Sequence, residues 1–350
     1  MTLLEEELIA RIRTGGPLTI ADYMSLCLFH PKHGYYTTRE PFGAEGDFTT
    51  APEISQMFGE LIGLALAQCW LDQGAPSHFT LAELGPGRGT LMADVLRATA
   101  NVPGFHEAAQ IHLVEASGEL RKRQSETIQA QVFHHDTIGT LPDTALFLIA
   151  NEFFDALPIR QFQRDGQCWR ERLVGEREGK LSLGLSDPTS PAFLSHRLDD
   201  TNNGQIVEYC ASSAPIIEEI SNRIAAHGGG AFIIDYGGWR SIGDTFQAIR
   251  HHSPVSTLET PGQADLTAHV DFEALAQASA LAHKYDTQGA FLERLGITAR
   301  AHSLAQSQKG EALQSHVAAH RRLTHPDEMG SLFKILALYP NGAPEPPGFS

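Results

Sequence analysis

Leu81-Ala-Glu-Leu-Gly-Pro-Gly-Arg-Gly-Thr90 decides the fold of this chain. A short apolar strand carries an acid, Glu83, and runs into Gly85, Pro86, Gly87 and Gly89. Thr90 and the run Leu91-Met-Ala-Asp-Val-Leu96 then read as the start of a helix. A glycine turn lets the backbone pass close to a ligand, because no side chain intervenes and positive φ costs little. The spacing here is G-x-G-x-G, whereas the dinucleotide fingerprint is G-x-G-x-x-G.

Working outward, Ile111-His-Leu-Val-Glu115 reads as a second buried strand ending in a carboxylate. In a doubly wound sheet, ligands lie outside the carboxyl ends of the strands, where the strand order reverses. A carboxylate there can accept both hydroxyl hydrogens of a ribose. Gln131-Val-Phe-His-His-Asp136 reads as a third strand, although an acid before Thr137 and Gly139 also suits a plain turn. A fourth strand is expected at 145–150. This alternation of strands and helical stretches predicts a parallel sheet with helices on both faces.

Beyond the fourth strand, short alternating runs over Ile159–Leu185 are separated by Asp165-Gly166 and Glu178-Gly179, which are hairpin signals. They predict an antiparallel insertion. A helix near 212–227, a strand over 230–237, a helix over 271–282 and strands near 282–287 and 333–339 complete the pattern. Pro344-Glu-Pro-Pro347 reads as a frayed tail. At the N-terminus, helices are expected over 3–13 and 19–29, with Thr19 capping the second and Asp22 as an imperfect capping-box partner. Thr50-Ala-Pro-Glu53 is a further helix start: a Thr cap, Pro in the first turn and Glu at N3. Ile54, Met57, Phe58, Leu61, Ile62, Ala65, Cys69 and Trp70 follow at helical spacing as core.

Composition limits the function classes. The chain has 350 residues, 42% of them hydrophobic, which suits a globular protein of one or two domains. A formal net charge of −16 disfavours nucleic acid and anionic lipid as partners. Four scattered cysteines give no disulfide framework, and none of the histidine pairs stands at zinc-ligand spacing with cysteine, so no metal is expected. No run of about 20 apolar residues is present, so no transmembrane helix is expected and the chain reads as cytoplasmic.

The fourth strand leads into Ala150-Asn-Glu-Phe-Phe-Asp-Ala-Leu-Pro158. Glu152 and Asp155 are three residues apart and share a face if the turn is helical. Two acids suit a guanidinium, which presents its donors in a planar fork. Capping of a following helical turn is the plainer alternative.

The tight glycine spacing preceded by an acid resembles the first motif of class I S-adenosylmethionine (SAM) methyltransferases. GPLTIADYMSLCLFHPKHGYY (16–36), GDFTTAPEISQMFGE (46–60), LAELGPGRGTL (81–91), NEFFDALP (151–158), FIIDYG (232–237) and DLTAHVDF (265–272) occur in order. Together they resemble the MidA family of SAM-dependent methyltransferases over nearly the whole chain. The resemblance implies an α/β, Rossmann-like class I fold: a mostly parallel sheet, an N-terminal helical lid and an antiparallel β insertion after strand four. The implied domains are 1–78 for the N-terminal helices and lid, 79–340 for the methyltransferase core with an insertion at 159–211, and 341–350 for the tail.

On the same resemblance SAM is the cofactor. Glu83, Gly85, Pro86, Gly87 and Gly89 would hold it, with Glu115 on the ribose and Asp136 toward adenine. Gly46, Asp47, Thr49, Thr50 and Glu53, from the GDFTTAPE stretch, would fold over it. Class I enzymes hold the acceptor atom at the end of strand four, where many amine and amide enzymes carry Asn/Asp-Pro-Pro-Tyr. This chain departs from that pattern, and Asn151, Glu152 and Asp155 become the catalytic candidates, Glu152 first. The 265–271 stretch would serve the substrate side, with His269 either a proton acceptor or, the favoured reading, a buried structural histidine.

Mitochondrial members of the family are complex I assembly factors that dimethylate an arginine in the 49-kDa subunit. The implied activity is therefore protein arginine methylation, on a respiratory complex I-type subunit, with the matrix as the location of eukaryotic relatives. A non-enzymatic SAM-binding assembly chaperone and a small-molecule methyltransferase stay open as alternatives, and the oligomeric state is not fixed.

Overall fold

Phe79–Leu84 and Ala145–Asn151 are buried along their whole length, the pattern of strands covered on both faces. They lie at the centre of the main sheet in the computed structural model, which describes residues 2–38 and 49–349. We label the strands of this sheet β1 (Phe79–Leu84), β2 (Ala109–Val114), β3 (Val132–His135), β4 (Ala145–Asn151), β5 (Gly229–Gly238), β6 (Ala282–Thr287) and β7 (Phe333–Tyr339). Their order is β6-β7-β5-β4-β1-β2-β3. β3, β2, β1, β4 and β5 pair in parallel, and β7 runs antiparallel to both β5 and β6. The strand order reverses between β1 and β4, so the crevice outside their carboxyl ends is the expected ligand position.

The chain divides into two compact units. The first joins Met1–Phe48, Asp155–Ala214 and Trp239–Asp271; the second joins Thr49–Phe154, Pro215–Gly238 and Phe272–Ser350. The main sheet belongs to the second. Its core runs from Met57, Phe58 and Ile62 through Phe79, Phe105 and Phe147 to Phe232 and Phe291.

In the first unit, helices Leu3–Gly15 and Ile20–Phe29 share a core with Val174, Ala248 and Leu266. Thr19 caps the second helix, its Oγ1 accepting from the Asp22 N–H at 3.0 Å. Strands Arg160–Asp165, Cys168–Arg177 and Lys180–Leu185 form the expected hairpins, with Asp165 opposite Cys168 and Arg177 opposite Lys180. Both residues of the second loop, Glu178 (φ 54°) and Gly179 (φ 78°), take the left-handed conformation that two-residue hairpins demand. A separate three-stranded sheet of Gln247–Arg250, Ser253–Val255 and Asp265–Thr267 carries no clear alternating signal.

Three expectations need correction. The helix expected over 271–282 spans only Phe272–Gln277. The helical stripe starting at Ile54 is broken: Ala51–Ile54 is one turn, Ser55 is extended at φ −162°, and a new helix runs Gln56–Asp72. Ser55 caps that helix by accepting from the Met57 N–H at 3.3 Å. The C-terminal tail is not frayed, because Arg294 donates to the Gly348 carbonyl at 2.8 Å and Phe349 packs on Phe291 with ring centroids 5.0 Å apart.

Gly229 opens β5 at φ 116°, and a Cβ there would stand 1.9 Å from the Leu146 carbonyl oxygen. Backbone cannot swing away as a side-chain tip can. Gly229→Ala is therefore expected to destabilise the protein by about 2–3 kcal/mol, read as a lowered urea midpoint.

Candidate active site

The registers bring the carboxyl ends of the strands to one level. Leu84 lies opposite both Val114 and Ala150, Val114 opposite His135, and Asn151 opposite Ile234. The next residue of each strand continues the ladder. Gly85 N–H donates to the Val114 carbonyl at 3.0 Å, Glu115 N–H to the His135 carbonyl at 3.0 Å, and Glu152 N–H to the Ile234 carbonyl at 2.9 Å. Gly85, Glu115 and Glu152 thus stand along one edge, each one step past its strand.

The turn after β1 holds Gly85, Gly87 and Gly89 at φ 60°, 51° and 83°. Gly89 is the N-cap of helix Thr90–Thr99, and its N–H donates to the Pro86 carbonyl at 2.8 Å. Part of the glycine requirement is packing: a Cβ on Gly85 would meet Phe153 Cδ2 at 2.9 Å, and one on Gly89 would meet Ile128 Cδ1 at 3.1 Å. Phe153 thus packs on the turn, with Phe154 edge-on behind it at 5.2 Å.

Glu115 is half-buried. Its Oε1 accepts from the Ser117 N–H at 2.8 Å and its Oε2 from the Gln124 amide at 3.4 Å. Burial raises its pKa, and these donors pull the other way. Asp136 has its Oδ1 2.5 Å from Arg121, and its side chain is 83% exposed. Arg121 also donates to the Glu115 carbonyl at 2.7 Å through Nε, so it ties the ends of β2 and β3 together.

The segment from Thr49 joins this edge, although not as expected. Thr50 occupies the N-cap of Ala51–Ile54 but makes no side-chain cap. The Ala51 N–H instead donates to Glu152 Oε1 at 2.9 Å. Glu53 does not turn back in a capping box; its Oε1 accepts from Thr90 Oγ1 at 2.6 Å, and its Oε2 is 3.8 Å from Arg88. The first turn of this segment is thereby fastened both to the glycine turn and to the end of β4. Thr49 and Thr50 are half-buried. Gly46 and Asp47 lie outside the described residues.

At the end of β4, Asn151 Nδ2 donates to Glu152 Oε1 at 3.0 Å. Glu152 adopts φ 50°, a left-handed conformation that a residue with a side chain seldom takes without a compensating reason. Residues 152–159 are not helical, so the shared-face argument for Glu152 and Asp155 does not apply, and neither residue caps a following helix. Asp155 belongs to the first unit, where its carbonyl accepts from the Ala268 N–H at 3.0 Å and its side chain is buried.

The same unit joins two of the quoted stretches: Tyr36 donates to Asp265 Oδ1 at 2.8 Å. Burial and the charges of Asp265 and Asp155 drive the Tyr36 pKa well up, so its hydroxyl remains a donor. His269 is half-buried rather than buried, and its N–H donates to Thr245 Oγ1 at 2.8 Å.

Glu83 Oε2 and Asn151 Oδ1, near the carboxyl ends of β1 and β4, are buried and lack hydrogen-bond partners among the described residues. Native interiors rarely leave such atoms unpaired without a ligand or ordered water. Burial pushes Glu83 up to about 8, so its carboxyl holds a proton near neutrality and can donate. A polar ligand with amino-acid and ribose groups fits this lining.

The chain matches the family described as "Putative S-adenosyl-L-methionine-dependent methyltransferase" over residues 61–291. The chain belongs to this family. Its cofactor is S-adenosylmethionine, and the residues at the strand edge fit it. The chain is 35% identical to the Homo sapiens protein arginine methyltransferase NDUFAF7, mitochondrial, an alignment covering 97% of this chain and 84% of that protein. It is 36% identical to the Drosophila melanogaster homolog, covering 96% and 85%. A Burkholderia thailandensis protein solved with bound S-adenosyl-homocysteine superposes with a TM-score of 0.84 at 29% identity, covering 99% of this chain and 93% of that one.

Glu115→Ala is expected to weaken SAM binding by about 1–3 kcal/mol, the loss of charge-assisted hydrogen bonds to a ribose. Calorimetry on a variant with an unchanged melting temperature is the check; an unaltered dissociation constant would move the ribose contact elsewhere.

Sequence reading missed Gln124, whose amide links Gly87 and Glu115. Its signal was a polar residue in an otherwise apolar stripe, Leu120-Gln124-Ile128, at helical spacing. It also missed the Tyr36–Asp265 pair, 229 residues apart, for which no local signal exists.

Proposed function

We propose that the chain is a protein arginine N-methyltransferase, with the glycine turn, Glu83 and Glu115 holding SAM and Glu152 engaging the acceptor. The observation that carries this reading is the Glu152 carboxylate. It stands one residue past β4 on a left-handed backbone, braced by the Ala51 N–H and the Asn151 amide. SAM supplies an electrophilic methyl group on a sulfonium, to be transferred in line. Everything else falls to the protein. An arginine side chain is protonated at neutral pH, and a nitrogen of its guanidinium that gains a methyl must lose a proton. A fixed carboxylate orients the planar fork, localises its charge and accepts that proton. Holding nucleophile and methyl in line supplies much of the rate.

Asn151 braces Glu152 through its side-chain amide. The first turn after Thr49 closes over the cofactor, its Glu53 fastened to Thr90. The names of the relatives support arginine in a protein as acceptor. By the MidA resemblance, that protein is a subunit of a complex I-type respiratory enzyme. No described helix is long and apolar enough to cross a membrane.

The test is methyl transfer from radiolabelled SAM into extract of cells lacking this protein, followed by mass spectrometry of the labelled residue. Label on arginine is expected. Label on lysine, on a carboxylate or in RNA would reject the arginine reading and leave the family membership standing.

A further inference from the structure

We propose that Gln124 is the positioning residue of the cofactor site, setting the glycine turn and the ribose acid together through one amide locked by His134. The inference rests on the SAM site proposed above. Gln124 projects from helix Gly118–Thr127 and is fully buried. Its Nε2 lies 2.8 Å from the Gly87 carbonyl oxygen and 3.4 Å from Glu115 Oε2. Its Oε1 lies 3.0 Å from His134 Nε2.

The chemistry of these partners fixes the amide. Gly87 and Glu115 present only acceptors, so the nitrogen, with its two hydrogens, must face them. The flipped amide would set its oxygen against both a carbonyl and a carboxylate. The oxygen therefore faces His134, and His134 must carry a hydrogen on Nε2. Every hydrogen-bonding atom of the amide is used, two donors and one acceptor, on a side chain that is fully buried.

The consequence is specific. Gly87 and Glu115 lie on different βα turns, and no backbone hydrogen bond between them is needed when one side chain spans both. The same carboxylate is held on its other oxygen by the Ser117 N–H at 2.8 Å, at the start of the helix that carries Gln124. Helix Gly118–Thr127 thus sets the acid from both ends. Both Glu115 oxygens and the Gly87 carbonyl are thereby held in place by one helix and its N-cap.

The test measures S-adenosylhomocysteine affinity by calorimetry alongside thermal melts. Gln124→Met keeps length and apolar volume and removes all three hydrogen bonds; about a tenfold loss of affinity is expected. Gln124→Glu points a carboxylate at the Gly87 carbonyl and at Glu115, and about a thirtyfold loss is expected. A purely structural role would lower the melting temperature of both variants and leave the affinity of the folded protein unchanged. A positioning role gives coupling: in a Glu115→Gln background, the further loss from Gln124→Glu should shrink by at least about threefold, because residue 115 can then donate to the new carboxylate.

Wild-type affinity in either single variant, or an unchanged Gln124→Glu loss in the Glu115→Gln background, would overturn the inference. If Gln124→Glu does not fold, Gln124→Met decides alone, and wild-type affinity there overturns it. Failure of the wild-type protein to bind S-adenosylhomocysteine would instead bring down the cofactor site, and the inference with it.

Discussion

Gly87→Val is expected to abolish SAM binding, with a loss of at least about a hundredfold in affinity. Gly87 is the middle glycine of the turn after β1, at φ 51°, and it is buried. A β-branched residue is a poor occupant of that conformation, which alone costs about 1–3 kcal/mol. Relaxing the strain rotates the peptide, and rotation breaks the 2.8 Å bond between the Gly87 carbonyl and Gln124. Gln124 also holds Glu115, so the damage spreads from the turn to the ribose acid. The valine branches would further crowd the path along which a ligand meets the turn. Calorimetry with SAM and with S-adenosylhomocysteine on a folded variant is the measurement. Undiminished affinity would remove the glycine turn from the cofactor site.

Local patterns made the centre of this site readable. The Leu81–Thr90 stretch states strand, turn and helix in ten residues, and each strand-end acid follows an apolar run. Glu115 and Glu152 therefore stand where their strands predict, because the register of a parallel sheet aligns the ends. Contacts across the sequence left little or no trace. Glu53 looked like half of a capping box because Thr50 stands three residues before it; in the fold, Thr90 supplies a better donor from 37 residues away. The break at Ser55 was hidden because apolar spacing continues through it. It releases the first turn from the long helix, so that Ala51 can reach Glu152. The left-handed backbone of Glu152 contradicts its residue type and could only be seen in the fold. The division into two units was equally hidden, since each unit is assembled from three separated segments.

Glu152→Gln is expected to leave SAM binding nearly intact and to lower methyl transfer by at least about a hundredfold, the low end for a positioned acid–base group. The substitution is close to isosteric. The glutamine carbonyl can still accept from the Ala51 N–H and the Asn151 amide, both of which now meet Oε1. The bracing, and with it the fold of the turn, should persist. What disappears is the charge. A neutral amide cannot localise the guanidinium charge, and it cannot take the proton that the alkylated nitrogen must shed. The loss should therefore fall on turnover rather than on cofactor affinity, a split that a damaged fold would not produce. Steady-state methyl transfer and calorimetry on the same preparations separate these outcomes. Glu152→Gln with wild-type turnover would remove Glu152 from the chemistry, and a parallel loss of SAM affinity would recast it as part of the cofactor site. If the charge is the working element, Glu152→Asp should recover part of the turnover, limited by the shorter reach of its carboxylate from a backbone held at φ 50°.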